Sequence, residues 1–154
     1  MLEGCKTAKE RWGGVSEIID RWLNGRQELI VLYCSINGMG QFDDDKRPVA
    51  KKLKELCQLL VDYVSAGHFE VYDQLIQEAL EFNDGSIEYA QSIVPDLEKN
   101  TSRCLEFNDK CETISNIQKL QDELSTLGET LEERFHFEDQ LIERVHEPHR
   151  EKIQ

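Results

Sequence analysis

Between Lys54 and Lys99 the chain has neither lysine nor arginine. The same stretch carries Glu55, Asp62, Glu70, Asp73, Glu78, Glu81, Asp84, Glu88, Asp96 and Glu98, and the chain's net charge is −13. General nucleic-acid binding is excluded, because it needs a basic surface to displace counterions. An acidic face favours a basic protein partner, by steering its approach and discouraging wrong ones. Proline and glycine are scarce, at three and nine residues, which leaves room for long helices. No run reaches the roughly 18 apolar residues of a membrane-spanning helix. The opening MLEGCKTAKERW lacks an apolar signal core, so a cytoplasmic location is expected. The five cysteines, Cys5, Cys34, Cys57, Cys104 and Cys111, are odd in number and form no CxxC pair. Both facts argue against a disulfide framework and a cysteine-based zinc site. Reduced, partly buried thiols are the expectation. No stretch alternates like a strand, and no internal repeat is present.

What remains is helical periodicity, in a chain of 154 residues with 32% charged and 39% apolar side chains. That balance suits one helical domain with well-solvated outer faces. The first helix is expected over about residues 4–34, with Ala8, Trp12, Val15, Ile19, Trp22, Leu29, Ile30 and Tyr33 as its apolar stripe. SINGMGQFDDDKR, residues 35–47, supplies turn chemistry, and Pro48 suits the first turn of a second helix that runs to about Ser65. A shorter helix follows over about Gly67–Phe82. The next runs from Ser86 to about Asp109, and Pro95 is expected to kink or split it. The last covers about Glu112–His146, lined by Ile117, Leu120, Leu124, Leu127, Leu131, Phe135, Leu141, Ile142 and Val145. The expected fold is all-α, an antiparallel four-helix-type bundle with an additional short helix. It forms one domain over residues 1–154 with an ordered core of about 4–147.

Three charges interrupt the apolar stripes. Arg26 falls on the first helix's stripe, and Arg134 and Glu138 fall four residues apart on the last. Together they suggest a paired polar layer inside the bundle, since a lone buried charge is costly.

Residues 57–72 are the least ordinary stretch. Leu53, Leu56, Leu60 and Val64 recur at core spacing. At 100° per residue, Asp62 lies about 180° from Leu53, on the outward face. Ala66-Gly67 is expected to break the helix, which would crowd His68, Phe69 and Tyr72 at a chain reversal. An outward carboxylate beside an aromatic corner suits a docking point, and an ordinary helix–helix corner is the alternative.

Metal and catalytic chemistry find little support. Glu133-x-x-His136 and Glu143-x-x-His146 match half of a di-iron signature. They lie on one helix, about 15 Å apart, and both histidines fall off the core stripe. Ser65, His68 and Asp62 are too close in sequence for a nucleophile–base relay, and a structural hydrogen bond suits His68 better. Gly38-Met39-Gly40 lacks the Lys-Ser/Thr of a phosphate loop. No metal, cofactor or catalytic residue is expected. A helical-bundle metalloprotein or oxidoreductase is the alternative class, as is an interaction regulator with a different protein target.

The stretch LVDYVSAGHFEVY, residues 60–72, resembles the Rsd/AlgQ family, regulators of the housekeeping sigma factor. Other segments agree in the same order. They are Met1-Leu2 with Glu10-Arg11, Ile19-Asp20-Arg21-Trp22-Leu23, and Gly128-Glu129 through Leu131-Glu132 and Arg134-Phe135 to Glu138-Asp139. The N-terminal ERWGGV is most similar to the AlgQ branch. The resemblance implies an anti-sigma factor that binds the C-terminal, DNA-reading region of the primary sigma factor of RNA polymerase. Occupying that basic helix-turn-helix module would block its contacts with promoter DNA and core polymerase. The implied partner-binding residues are Ile18, Asp62, Ser65 and Phe69. Asp62 would pair with an arginine of sigma, and Phe69 would supply an apolar anchor.

Overall fold

The computed structural model describes residues 8–37, 49–82, 85–111 and 117–149. Helix α1 is Ala8–Asn37 and α2 is Val49–Ala66. A π-helical segment, Gly67–Tyr72, joins α2 to α3, Asp73–Phe82. Helix α4 is Ser86–Cys111, and α5 is Ile117–Leu141. The chain continues from α5 as a π-helical turn, Ile142–His146, and a 3₁₀ turn, Glu147–His149. No strand occurs among the described residues, and the fold is all-α.

Pairs of contacting residues give the topology. Between α1 and α5 with its π-helical continuation, Ser16 meets His146, Arg26 meets Asp139, and Tyr33 meets the Leu124 carbonyl. One number rises as the other falls, so these helices run antiparallel. Asn100 with Thr130 and Lys110 with Glu123 show the same for α4 and α5. Cys57 with Cys111 and His68 with Thr101 show it for the α2 column and α4. Tyr72 with Glu138 and Glu78 with His146 rise together, so the α2–α3 column is parallel to α5. The result is an up-down-up-down bundle of four columns.

The expected break at Ala66-Gly67 is not there. Ala66 keeps helical angles, φ −61 and ψ −40, and so does Asp73, φ −61 and ψ −44. The turn widens and the column continues through it. Gly67 packs closely, because a Cβ there would lie 3.2 Å from the Tyr72 ring and 3.4 Å from Trp22, so those rings would have to give by a few tenths of an ångström. Pro95 does not split α4 either. It is exposed, as is Gln91 one turn back, so water can serve the carbonyl that loses its partner. Before α4, Gly85 adopts φ 91, a conformation that glycine takes without strain.

The apolar stripes meet in one core. Leu29, Leu56, Leu60, Leu75, Leu97, Leu124, Leu127 and Leu141 are fully buried, each worth roughly 1.5–3 kcal/mol against exposure. Leu53, expected in the core, is half-buried at its edge. Cys57 and Cys111, expected as separate thiols, have their sulfurs joined between α2 and α4. Cys34 and Cys104 are free, and Cys5 lies outside the described residues.

Candidate functional site

Helices α1 and α2 leave a groove of about 250 Å³ between them. From α1 come Ile18, Arg21, Trp22, Gly25 and Glu28, and from α2 come Leu59, Asp62, Tyr63 and Ala66. Both sets recur at three- and four-residue steps, which puts each on one helical face. Glu70, from the π-helical segment, closes one end. A Cβ added at Gly25 would meet nothing within 4 Å, so the missing side chain keeps the groove open.

The floor is aromatic. Trp22 and Tyr63 stack with centroids 5.0 Å apart and planes 2° from parallel. The Trp22 indole N–H donates to the Tyr63 carbonyl at 3.2 Å, so α1 and α2 are fixed to each other through the floor. The rim is acidic. Glu28, Asp62 and Glu70 are exposed against one guanidinium, Arg21. Asp62 accepts a hydrogen bond from Gln58 Nε2 at 2.9 Å, one turn earlier. That contact is surface-exposed.

The sequence-derived contact residues divide into two groups. Ile18 and Asp62 both line the groove, one from α1 and the other from α2. Ser65 is half-buried, and Phe69 is 82% exposed, and neither lines it. Steps of three and four place Asp62, Ser65 and Phe69 along one side of the α2 column. Phe69 exceeds the other exposed large apolar residues described, Val31, Val49, Leu80 and Leu105. It belongs to the same π-helical segment as Tyr72, which is buried. Trp22 and Tyr63 belong to the site as well, and sequence pattern alone did not point to them. Their spacing is that of ordinary core residues.

Directly beneath the floor lies the polar layer. Glu138, fully buried, accepts hydrogen bonds from the hydroxyls of Tyr63 and Tyr72. Its oxygens stand 3.1 Å from Arg26 Nη2 and 3.1 Å from Arg134 Nε. Arg26 also donates to the Tyr63 hydroxyl at 3.0 Å and to Asp139 at 2.7 Å. Its guanidinium lies 4.6 Å from the Phe135 ring centroid. Arg134 donates to Asn100 at 3.2 Å and to Thr101 at 2.9 Å. Burial raises the Tyr63 pKa well above its ordinary value, and the Glu138 charge adds to that. The phenol therefore stays protonated as a donor. Burial also raises the Glu138 pKa, against the pull of Arg134, the two phenols and Arg26. Arg26 is held more firmly protonated than usual. Burial works against its charge, but Tyr63, Asp139 and Glu138 outweigh it. Tyr63 thus has its ring in the groove and its hydroxyl in the core network.

A second buried cluster corrects the sequence reading. Glu78, counted with the acidic surface, is fully buried, and His146, placed off the core stripe, is 3% exposed. His146 Nδ1 lies 2.9 Å from Glu78 Oε1, and its Nε2 lies 2.8 Å from Ser16 Oγ. The π-helical turn at Ile142–His146 explains the error, because a wider turn departs from a 100° extrapolation. The order carboxylate–imidazole–hydroxyl is that of a hydrolase relay. Ser16, however, sits inside α1, where backbone N–H groups are engaged within the helix and cannot stabilise an oxyanion. The cluster ties α1, α3 and the C-terminal turn together. His68 hydrogen-bonds Thr101 at 2.7 Å. Glu133 and His136 are both exposed. Among the described residues, no group of three His, Cys, Asp or Glu could hold a metal ion.

The all-helical bundle thus carries an open α1–α2 groove with an aromatic floor and an acidic rim, set on a largely buried ionic layer. The profile of one family, "Regulator of RNA polymerase sigma(70) subunit, Rsd/AlgQ", matches residues 1–146, and the chain belongs to that family. Proteins named regulator of sigma D are similar along nearly their whole length. The one from Yersinia pseudotuberculosis serotype O:1b (strain IP 31758) is 37% identical over 148 residues, covering 93% of this chain and 88% of its own. That of Yersinia pestis is 38% identical over 149 residues, covering 93% and 88%. That of Salmonella arizonae is 40% identical over 147 residues, covering 92% and 90%.

Proposed function

We propose that this protein is a cytoplasmic anti-sigma factor that binds the C-terminal, DNA-reading region of the primary sigma factor, and that it has no enzymatic activity. Family membership supports the class of partner. The observation that carries the site is the α1–α2 groove, where exposed Asp62 stands beside Glu28 and Glu70 over the Trp22–Tyr63 stack. A DNA-reading module is basic, so an acidic rim attracts the surface that DNA would otherwise occupy. An arginine of sigma entering the groove would meet the Asp62 carboxylate at its rim and aromatic faces at its floor. Ile18 adds an apolar side chain to the α1 wall. Ser65 and Phe69 extend the surface along α2, with Phe69 as an exposed apolar anchor. Among the described residues, no helix is long and apolar enough to cross a membrane.

The deciding experiment is a pull-down from cell lysate with the full chain as bait. The expected catch is the housekeeping sigma factor without core polymerase. Recovery of sigma only as part of the holoenzyme would contradict occlusion of the core contacts.

A further inference from the structure

Phe69, 82% exposed, and Leu80, 58% exposed, are the two most exposed large apolar side chains among the described residues, and both stand on the α2–α3 column. A single exposed leucine is ordinary. These two share one face. The inner face of the column is continuous, because Tyr63 on α2 and Tyr72 at the end of the π-helical segment both donate to Glu138. The outer face is therefore continuous as well. Ala66 and Asp73 keep helical angles on either side of the segment, so α3 extends α2 instead of turning away. The wider i→i+5 turn alters the phase, so exposure marks the outer face beyond it. Asp73, Gln77 and Leu80 are exposed at steps of four and three, with Leu75, Glu78 and Ala79 buried behind them.

We propose that the docking surface runs on past Phe69 along α3 to Leu80, and that a basic amphipathic helix of sigma's DNA-reading region lies along this track. The choice of occupant rests on the proposed function, and continuity and charge favour it. The track shares Phe69 with the surface that begins at Asp62. Exposed Glu70, Asp73 and Glu81 accompany the two apolar anchors, and the column has no lysine or arginine after Lys54. Phe69 and Leu80 are about 15 Å apart along the column at 1.5 Å per residue. A helix laid there seats two apolar residues on the anchors while its flanking cations meet the carboxylates. A second copy of this chain would bring acidic flank against acidic flank, which like-charge repulsion opposes.

The test uses the full chain and the purified C-terminal region of sigma. Leu80→Ser removes the far anchor. Val49→Ala is the control, because Val49 is 50% exposed at the opposite end of the column. Leu80→Ser should weaken sigma binding about tenfold with the urea midpoint of the wild type, and Val49→Ala should change neither. In parallel, the photo-crosslinking residue benzoylphenylalanine replaces Phe69, Leu80 or Val49 in turn. Light should join sigma to the chain at the first two positions and not at the third. Full affinity of Leu80→Ser overturns the extended track, and so does cross-linking at Phe69's position without Leu80's; both results leave sigma as the partner. A dimer that Leu80→Ser dissociates, with sigma affinity unchanged, overturns it in favour of self-association. A wild-type chain that does not bind the sigma region overturns the proposed function itself and the track with it.

Discussion

Arg26 on α1 and Glu138 on α5 stand 3.1 Å apart, with the Glu138 side chain wholly buried. Tyr63 spans the space between that pair and the open groove, so the candidate docking surface rests on an ionic layer instead of on leucines. A buried carboxylate shared by two guanidinium and two phenol groups is tolerable only while all partners are present. Glu138→Ala or Arg134→Ala should therefore lower stability by about 3 kcal/mol or more. Glu133→Ala, whose partner Arg103 is also exposed at 3.3 Å, should cost about 0.5 kcal/mol or less. Urea unfolding of the three variants measures both. Equal losses at Glu138 and Glu133 would contradict the buried layer.

Tyr33 and Gly128 form a second linked pair. The Tyr33 hydroxyl donates to the Leu124 carbonyl at 2.7 Å and lies where a Cβ on Gly128 would stand. Alanine at 128 gains helix propensity but displaces that hydroxyl, for a net cost of about 1–3 kcal/mol. Tyr33→Phe alone should cost about 1 kcal/mol. The double variant should cost less than the sum by at least about 0.5 kcal/mol, since Phe removes the colliding oxygen. Strict additivity in denaturant melts would show that the contact is not what requires glycine.

The bundle was legible because its apolar residues keep helical spacing through every segment. The ionic layer was legible too, because Arg26, Arg134 and Glu138 are charges at core positions, where only pairing is tolerable. The two π-helical turns were not. Within them Tyr72 reaches Glu138 and His146 reaches Glu78, tertiary contacts that no local spacing announces. Phe69, Tyr72 and His146 lie in those turns. Tyr72 and Phe69 were assigned to a reversal, and Glu78 and His146 to the surface. The groove was half legible. Asp62 stood out by phase, while Trp22 and Tyr63 carry no signal that separates a groove floor from a core. The Cys57–Cys111 pair joins columns whose adjacency exists only in three dimensions.

His68 gives a pH signature. Burial, with the Arg134 charge nearby, lowers its pKa below the ordinary histidine value. The unfolded chain then takes up a proton there more readily than the folded one. The stability associated with neutral His68 is complete above about pH 6.5 and falls as pH drops through the lower folded value. His68→Gln retains a polar partner for Thr101 and cannot titrate. Its urea midpoint should fall less between pH 7 and pH 5 than that of the wild type. A steeper fall in the variant would reverse the sign of the shift.

Asp62 and Phe69 separate binding from folding. Asp62 is exposed in the middle of a continuous column and contacts Gln58 at the surface, so it caps no helix end. Asp62→Ala should change stability by no more than about 0.5 kcal/mol. If its carboxylate is desolvated against an arginine of sigma, the same change should weaken sigma binding by about 2–5 kcal/mol. A pair left at the wet rim would lose less than about 1 kcal/mol. Phe69 is 82% exposed, so its loss removes little apolar burial on folding, and as a proposed sigma contact it would be buried on docking. Phe69→Ala should weaken binding with normal stability, and its loss should change little with salt because apolar burial is not screened. Wild-type affinity should fall as salt rises, and Asp62→Ala should fall less steeply. Affinities for the purified C-terminal region of sigma at two salt concentrations, beside melting curves of each variant, decide the matter. An Asp62→Ala protein with normal stability and undiminished affinity would remove Asp62 from the docking surface.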